Sequence, residues 1–153
     1  MSLFILDTDT LSLLQSGHTN VLRWVLAARA AGDTLGITAI TLEEQSKGWF
    51  RKVQTARDAT QLARSSRRFC DAVESWAQFT LFPQTEASLA RFDALVAAKL
   101  NVGKMDLRIA GVALENGAVD VTHNTRDFAR VPGLTITDWT VPPAPPPAAA
   151  TAP

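Results

Sequence analysis

Cysteine is nearly absent. Cys70 is the one cysteine in 153 residues, so no internal disulfide can form and a reducing compartment is expected. The only two histidines, His18 and His123, are isolated, and the missing Cys/His cluster argues against a zinc site. No apolar run approaches the roughly 18 residues that span a bilayer. The N-terminus has no basic stretch leading into an apolar one, so no secretory signal is expected. These absences together predict a soluble, cytoplasmic protein with no membrane role. No serine or cysteine sits in a recognisable arrangement with a base, and no internal repeat is visible. Net charge is also zero, with 15 basic and 15 acidic residues.

The balance hides an asymmetry. Lys47 to Arg68 holds seven basic residues and one acid, Asp58, a local charge of +6. The other eight bases and fourteen acids leave −6 elsewhere. The pattern predicts a basic patch beside an acidic centre, or else a solvated helix surface. A hydrophobic content of 46% suits one globular domain with a proper core. Short apolar runs alternate with stretches of helical period, which predicts parallel strands joined by helical crossovers, an α/β fold. Strands are expected at 3–6, 35–38, 79–82, 118–122 and 134–137. Helices are expected at 8–15, 20–31, 39–49, 86–100 and 104–116, with the helical reading continuing from 49 through the basic segment to about 78. From Pro142 onward the chain carries six of its eight prolines, so 1–140 is the domain and 141–153 an extended Pro/Ala-rich tail.

What the chain does contain is acids at strand ends. Phe4-Ile5-Leu6 runs straight into Asp7. An unpaired carboxylate is costly away from water, so a buried strand should not end in one without a use for it. Glu44 follows the second strand, early in a helix, where Thr41-x-x-Glu44 also fits a capping box. Its neighbour Glu43 points elsewhere. Asp106 opens a helix and shares a face with Ile109, Ala110 and Ala113, so it is expected to point inward. Val119-Asp120-Val121 ends in Thr122, Asn124 and Asp127. Asn124 and Thr122 could also cap a turn, and Asp127 could begin a short helix. Asp9 reads as a turn or capping residue, and Arg108 as a solvated one. Several carboxylates at one sheet edge repel each other. A hard divalent cation with oxygen ligands, Mg²⁺ or Mn²⁺, relieves that repulsion.

Leu6-Asp7-Thr8-Asp9, Thr38-Ala39-Ile40-Thr41-x-x-Glu44, Asp106-Leu107-x-Ile109-Ala110 and Thr122-x-Asn124-x-x-Asp127-Phe128 together resemble the PIN domains, and most closely the VapC-type toxins. The resemblance runs over residues 3 to about 139. It implies a three-layer α/β/α, Rossmann-like fold with a central parallel sheet. It implies a metal-dependent ribonuclease, usually homodimeric, held inactive by a cognate antitoxin protein. Asp7, Glu44 and Asp106 match the family's acidic positions and would bind Mg²⁺ or Mn²⁺. The fourth position falls on Asn124, with Asp127 three residues on as a substitute. Thr8 and Thr122 match supporting polar residues near the metal. A cation-activated water would attack the RNA phosphorus, leaving a 3′-hydroxyl and a 5′-phosphate. Arg51, Lys52, Arg67, Arg68 and Lys104 are candidate contacts for RNA or antitoxin. Two other readings stand beside this one. One is a PIN fold that binds without cleaving. The other is a phosphatase of the haloacid dehalogenase type, suggested by Asp7-x-Asp9, although Leu11 departs from that family's pattern.

Overall fold

The computed structural model describes residues 1–143; of the tail expected at 141–153, residues 144–153 lie outside the described part. The chain runs β1 (Leu3–Leu6), α1 (Thr8–Gln15), α2 (Thr19–Ala30), β2 (Thr34–Thr38) and α3 (Ala39–Gln54). It continues with α4 (Ala59–Trp76), β3 (Thr80–Phe82), α5 (Glu86–Ala97) and α6 (Lys104–Glu115). It closes with β4 (Val119–Val121), α7 (Thr125–Phe128) and β5 (Thr135–Thr137).

The strands form one five-stranded sheet in the order β3-β2-β1-β4-β5, and every pairing is parallel. The order reverses at β1, where the chain first builds outward through β2 and β3 and then returns to add β4 and β5. That reversal is the switch point at which α/β sheets of this kind bind ligands, just beyond the strands' carboxyl ends. Alternation along β1 sends its side chains to two cores. Leu6 packs with Leu11, Val21, Val25, Ile37, Val121 and Trp139 under α1 and α2. Ile5 packs with Ile40, Ile109, Val112 and Ala113 under α3 and α6. A third cluster, including Leu95, Leu107, Ala110 and Phe128, seats α5 on α6. The result is three layers, α/β/α, with β1 buried at the centre.

The single helical stretch expected from 39 to about 78 is two helices. Thr55 ends α3, and Asp58 starts α4 by accepting the backbone N–H of Gln61 at 2.7 Å. No glycine or proline marks this break; a side-chain cap makes it. The two helices pack side by side through Phe50 of α3 and Phe69 of α4, ring centroids 5.4 Å apart, and Phe69 lies 6.4 Å from Trp76 on its own helix. Gln45, buried within α3, accepts the Trp76 indole N–H at 2.6 Å and donates to Ser12 at 3.1 Å, tying α1, α3 and α4 together. At the other end the chain folds back after β5. Trp139 is buried between Phe4 and Trp24, and the Trp24 indole donates to the Val141 carbonyl at 2.9 Å.

Candidate active site

Asp7 is the first residue past β1, and it is buried. Its carboxylate is also the N-cap of α1, accepting the Thr10 N–H at 2.7 Å. A negative group is favoured there by the unsatisfied amides and the helix dipole. The Thr10 hydroxyl donates to the Val121 carbonyl at 2.9 Å, and Asp7 N–H donates to the same carbonyl at 3.1 Å. The start of α1 is therefore bolted to the end of β4. Burial raises the Asp7 pKa, against the stabilising hydrogen bonds of Thr122 and Thr10. The cap is thus Asp7 and not Asp9, which lies exposed in the first turn of α1. Asp7-x-Asp9 is not a pair of facing carboxylates, which removes the basis of the phosphatase reading.

Glu44 sits on α3, whose start also differs from expectation. The N-cap is Thr38, accepting from Thr41 N–H at 3.1 Å. Thr41 is therefore already inside the helix, and Glu44 is released from capping. Its carboxylate instead accepts the Thr8 hydroxyl, which also lies 3.3 Å from the Thr41 hydroxyl. Glu43 takes the neighbouring outward position, bonded to Lys47 at 2.8 Å and paired with Arg108 at 3.6 Å. Arg108 also donates to Gln84 at 2.8 Å, so it is a packed, part-buried link and not a solvated side chain.

Asp106 is in the first turn of α6, half-buried on the inward side. Its pKa is pushed up to about 6, first by burial and then by the charges of Asp7, Glu44, Asp9 and Asp127. The acids expected at one sheet edge therefore do share a field. Asn124, the last residue of the loop between β4 and α7, bridges two of them. Its amide lies 3.1 Å from Asp127 Oδ2 and 3.4 Å from Asp106 Oδ2. Thr122 is fully buried and fixes this loop by accepting the Asn124 N–H at 2.9 Å. Asp127 is drawn outward by Arg130 at 3.6 Å, so Asn124, not Asp127, takes the place nearest Asp106.

Among the described residues no three His, Cys, Asp or Glu side chains form a preassembled metal cage. Asp7, Glu44 and Asp106 are neighbours in charge without converging on one point. An oxygen-only set with two acids and an amide still fits Mg²⁺ or Mn²⁺. Mg²⁺ in particular keeps several waters and takes one or two carboxylates. The raised pKa of Asp106 is the repulsion that such a cation would cancel.

No family model matches the chain. Similar proteins and structures do exist. Ribonuclease VapC1 of Haemophilus influenzae (strain R2866) is 25% identical over 147 residues, 90% of this chain and 98% of that protein. A 53% identical match to the tRNA(fMet)-specific endonuclease VapC of Salmonella typhimurium is confined to 38 residues, 25% of this chain and 29% of that one. The crystal structure of DNA-bound VapBC from Salmonella typhimurium superposes with a TM-score of 0.69 at 25% identity, covering 91% of this chain and 99% of that one. FitAcB from Neisseria gonorrhoeae superposes equally well, with a TM-score of 0.69 at 19% identity, over 89% and 97% of the two chains. Over nine-tenths of its length the chain is similar to VapC ribonucleases in sequence and to VapBC structures in fold.

The basic residues lie apart from the acids. Arg68 lines a groove of about 680 Å³ with Gln15, Ser16, Trp49 and Asp71. That groove is at the far end of α1, a helix of eight residues and so about 12 Å long. Arg67 is paired with Asp71 at 3.2 Å, and Lys52 lies 4.4 Å over the Trp49 ring. Lys104 is exposed at the start of α6, two residues from Asp106. Of the five expected RNA or antitoxin contacts, Lys104 alone is adjacent in sequence to a site acid. Asp120, fully buried in β4, was not singled out from the sequence. No helix among the described residues is long and apolar enough to cross a membrane.

Proposed function

We propose that the protein is an endoribonuclease dependent on Mg²⁺ or Mn²⁺, the toxin of a toxin–antitoxin pair, acting in the cytoplasm. The observation that carries this reading is the shared electrostatic field of Asp7, Glu44 and Asp106, with Asn124 beside Asp106, at the switch point of the parallel sheet. The similarity to VapC ribonucleases and to VapBC complexes supports it. A divalent cation bound there would activate a water and neutralise charge on the scissile phosphate. Asp7 would hold the cation from the end of β1, pinned in orientation by the amides of α1. Asp106 would hold it from α6, with its ionised form restored once positive charge is present. Asn124 would keep the Asp106 carboxylate turned inward through its amide. Glu44, held by Thr8, would orient the attacking water or take its proton. Lys104 would bind the RNA backbone at the mouth.

For partners, the reading is RNA as substrate, an antitoxin protein as inhibitor, and a second copy of the chain. The groove beside Arg68, with exposed Phe50, Leu62 and Val73 on α3 and α4, offers apolar and basic surface for an antitoxin segment. Leu89 and Val96 on α5 are exposed apolar residues available to a homodimer. The test is cleavage of structured RNA by purified, antitoxin-free protein. Cutting with Mg²⁺ or Mn²⁺ that stops with chelator is expected, and chelator-resistant or absent cutting refutes the reading.

A second reading, a PIN fold that binds RNA or protein without cutting, is favoured by the amide at position 124 and by the lack of a preassembled three-acid cage. RNA binding with no cleavage at any Mn²⁺ concentration would establish it.

A further inference from the structure

Beneath the acids lies a carboxylate that the chemistry above does not use. Asp120 is the middle residue of β4 and is 0% exposed. Neither of its oxygens has a hydrogen-bond partner. A polar group left this way is costly, and a charged one far more so. Valine stands on either side of it, so a third apolar residue would have made an ordinary strand.

The register says where the side chain goes. Asp120 pairs with Ile5 on β1 and with Ile136 on β5. Paired residues of parallel strands share a face, and alternate residues return to it. Asp120 is therefore on the face of Ile5 and, two residues further along, of Asp7. Ile5 packs there against Ile40 of α3 and Ile109 and Ala113 of α6. Those two helices carry Glu44 and Asp106. Asp120 thus lies in the wedge between sheet and helices, directly below the acids. Burial raises its pKa well above the usual range, and the charges of Asp7 and Asp106 add to the effect. One strand spacing across and two residues along place the Cα atoms of Asp7 and Asp120 about 8 Å apart, within reach of two aspartate side chains with one cation between them.

We propose that Asp120 is a further donor to the cation centre, approaching it from the sheet side and supplying the negative charge that Asn124 lacks at the fourth position. The inference rests on the cation-dependent reading above. It explains why an unpartnered carboxylate occupies a core position beside a site that is short of one acid.

The experiment is titration of the full chain with Mn²⁺, followed by the electron paramagnetic resonance signal of the free ion, with thermal unfolding in chelator measured in parallel. The wild-type protein is expected to bind Mn²⁺. Asp120→Asn should bind at least tenfold more weakly, yet unfold in chelator at the same temperature or higher, since an ionisable group without a partner has been removed from the core. Adding Asn124→Asp to Asp120→Asn should recover most of the affinity. If Asp120→Asn does not fold, Asp120→Val, which extends the flanking valines, carries the same expectation. Mn²⁺ affinity within twofold of wild type in either variant overturns the inference alone. Failure of the wild-type protein to bind Mn²⁺ overturns the cation reading and this inference with it.

Discussion

Replacing Asp106 by asparagine should make the cation-free protein more stable while disabling it. The carboxylate of Asp106 titrates at about 6 instead of 3.8, because folding half-buries it among other acids. A raised acid pKa means that the folded state holds the proton more tightly than the unfolded chain does. That contribution to stability is complete below pH 3.8 and is lost as pH rises through about 6. A shift of about 2 units corresponds to roughly 3 kcal/mol, and solvent screening of a half-exposed group reduces it to about 1.5 kcal/mol. Asparagine has no charge to repel, so Asp106→Asn should escape this loss. For a domain of this size the gain is about 3 to 6 °C in unfolding temperature at pH 7.5. At pH 4 the two proteins should unfold within about a degree of each other. The measurement is thermal unfolding by circular dichroism in chelator across pH 4 to 8. With excess Mn²⁺ the order should invert, because wild type gains a bound ion that the variant holds poorly. A difference between the two proteins that does not change with pH, or a variant less stable at pH 7.5, would refute the argument that these acids repel in the folded state.

Asp7→Asn keeps a competent N-cap for α1, so folding should survive, while loss of a ligand worth about 3 kcal/mol should slow RNA cleavage at least about a hundredfold. Wild-type rates in that variant would remove Asp7 from the mechanism. Arg67→Glu with Arg68→Glu should weaken antitoxin binding more than RNA cleavage, because Arg68 lines the groove at the far end of α1. Calorimetric titration and a cleavage assay on the same preparation separate the two effects. Gly111→Ala should destabilise the fold by roughly 1 to 3 kcal/mol, since the added methyl would stand 2.7 Å from the Ser88 carbonyl where α5 crosses α6. Chemical denaturation that shows no loss would mean that these helices separate easily.

The sequence was most readable where local chemistry and final environment agree. Leu3–Leu6 and Thr8–Gln15 are visible because an apolar run meets a carboxylate that then caps a helix. Asp7, Asp106 and Asn124 stand out as candidates because each sits at an element boundary, while Glu44 lies more than a turn inside α3. The misreadings share one cause: a side chain with two possible local roles. Thr41-x-x-Glu44 has the spacing of a capping box, but Thr38 captures the same backbone amide one turn earlier. Thr55 to Asp58 contains no glycine or proline, so the basic run looked like one helix. Arg108 looked solvated because its partners, Glu43 and Gln84, come from other elements. Asp120 is the extreme case. Its burial is created by β1, β5 and α6 together, and β1 lies more than a hundred residues away in sequence.

The placement of β1 at the centre of the sheet has a consequence for how the protein is made. The strand emerges first from the ribosome, but its second neighbour, β4, is more than a hundred residues away. Asp7 leaves the exit tunnel early and waits for Asp106 and Asn124. Synthesis at about 5 to 20 residues per second makes that wait last several seconds. Until β4 docks, the acids cannot meet, and until Trp139 fills the gap between Phe4 and Trp24 the α2 side of the core is open. Long-range parallel pairing of this kind also folds slowly. A half-made chain therefore carries the residues of the candidate site without their geometry.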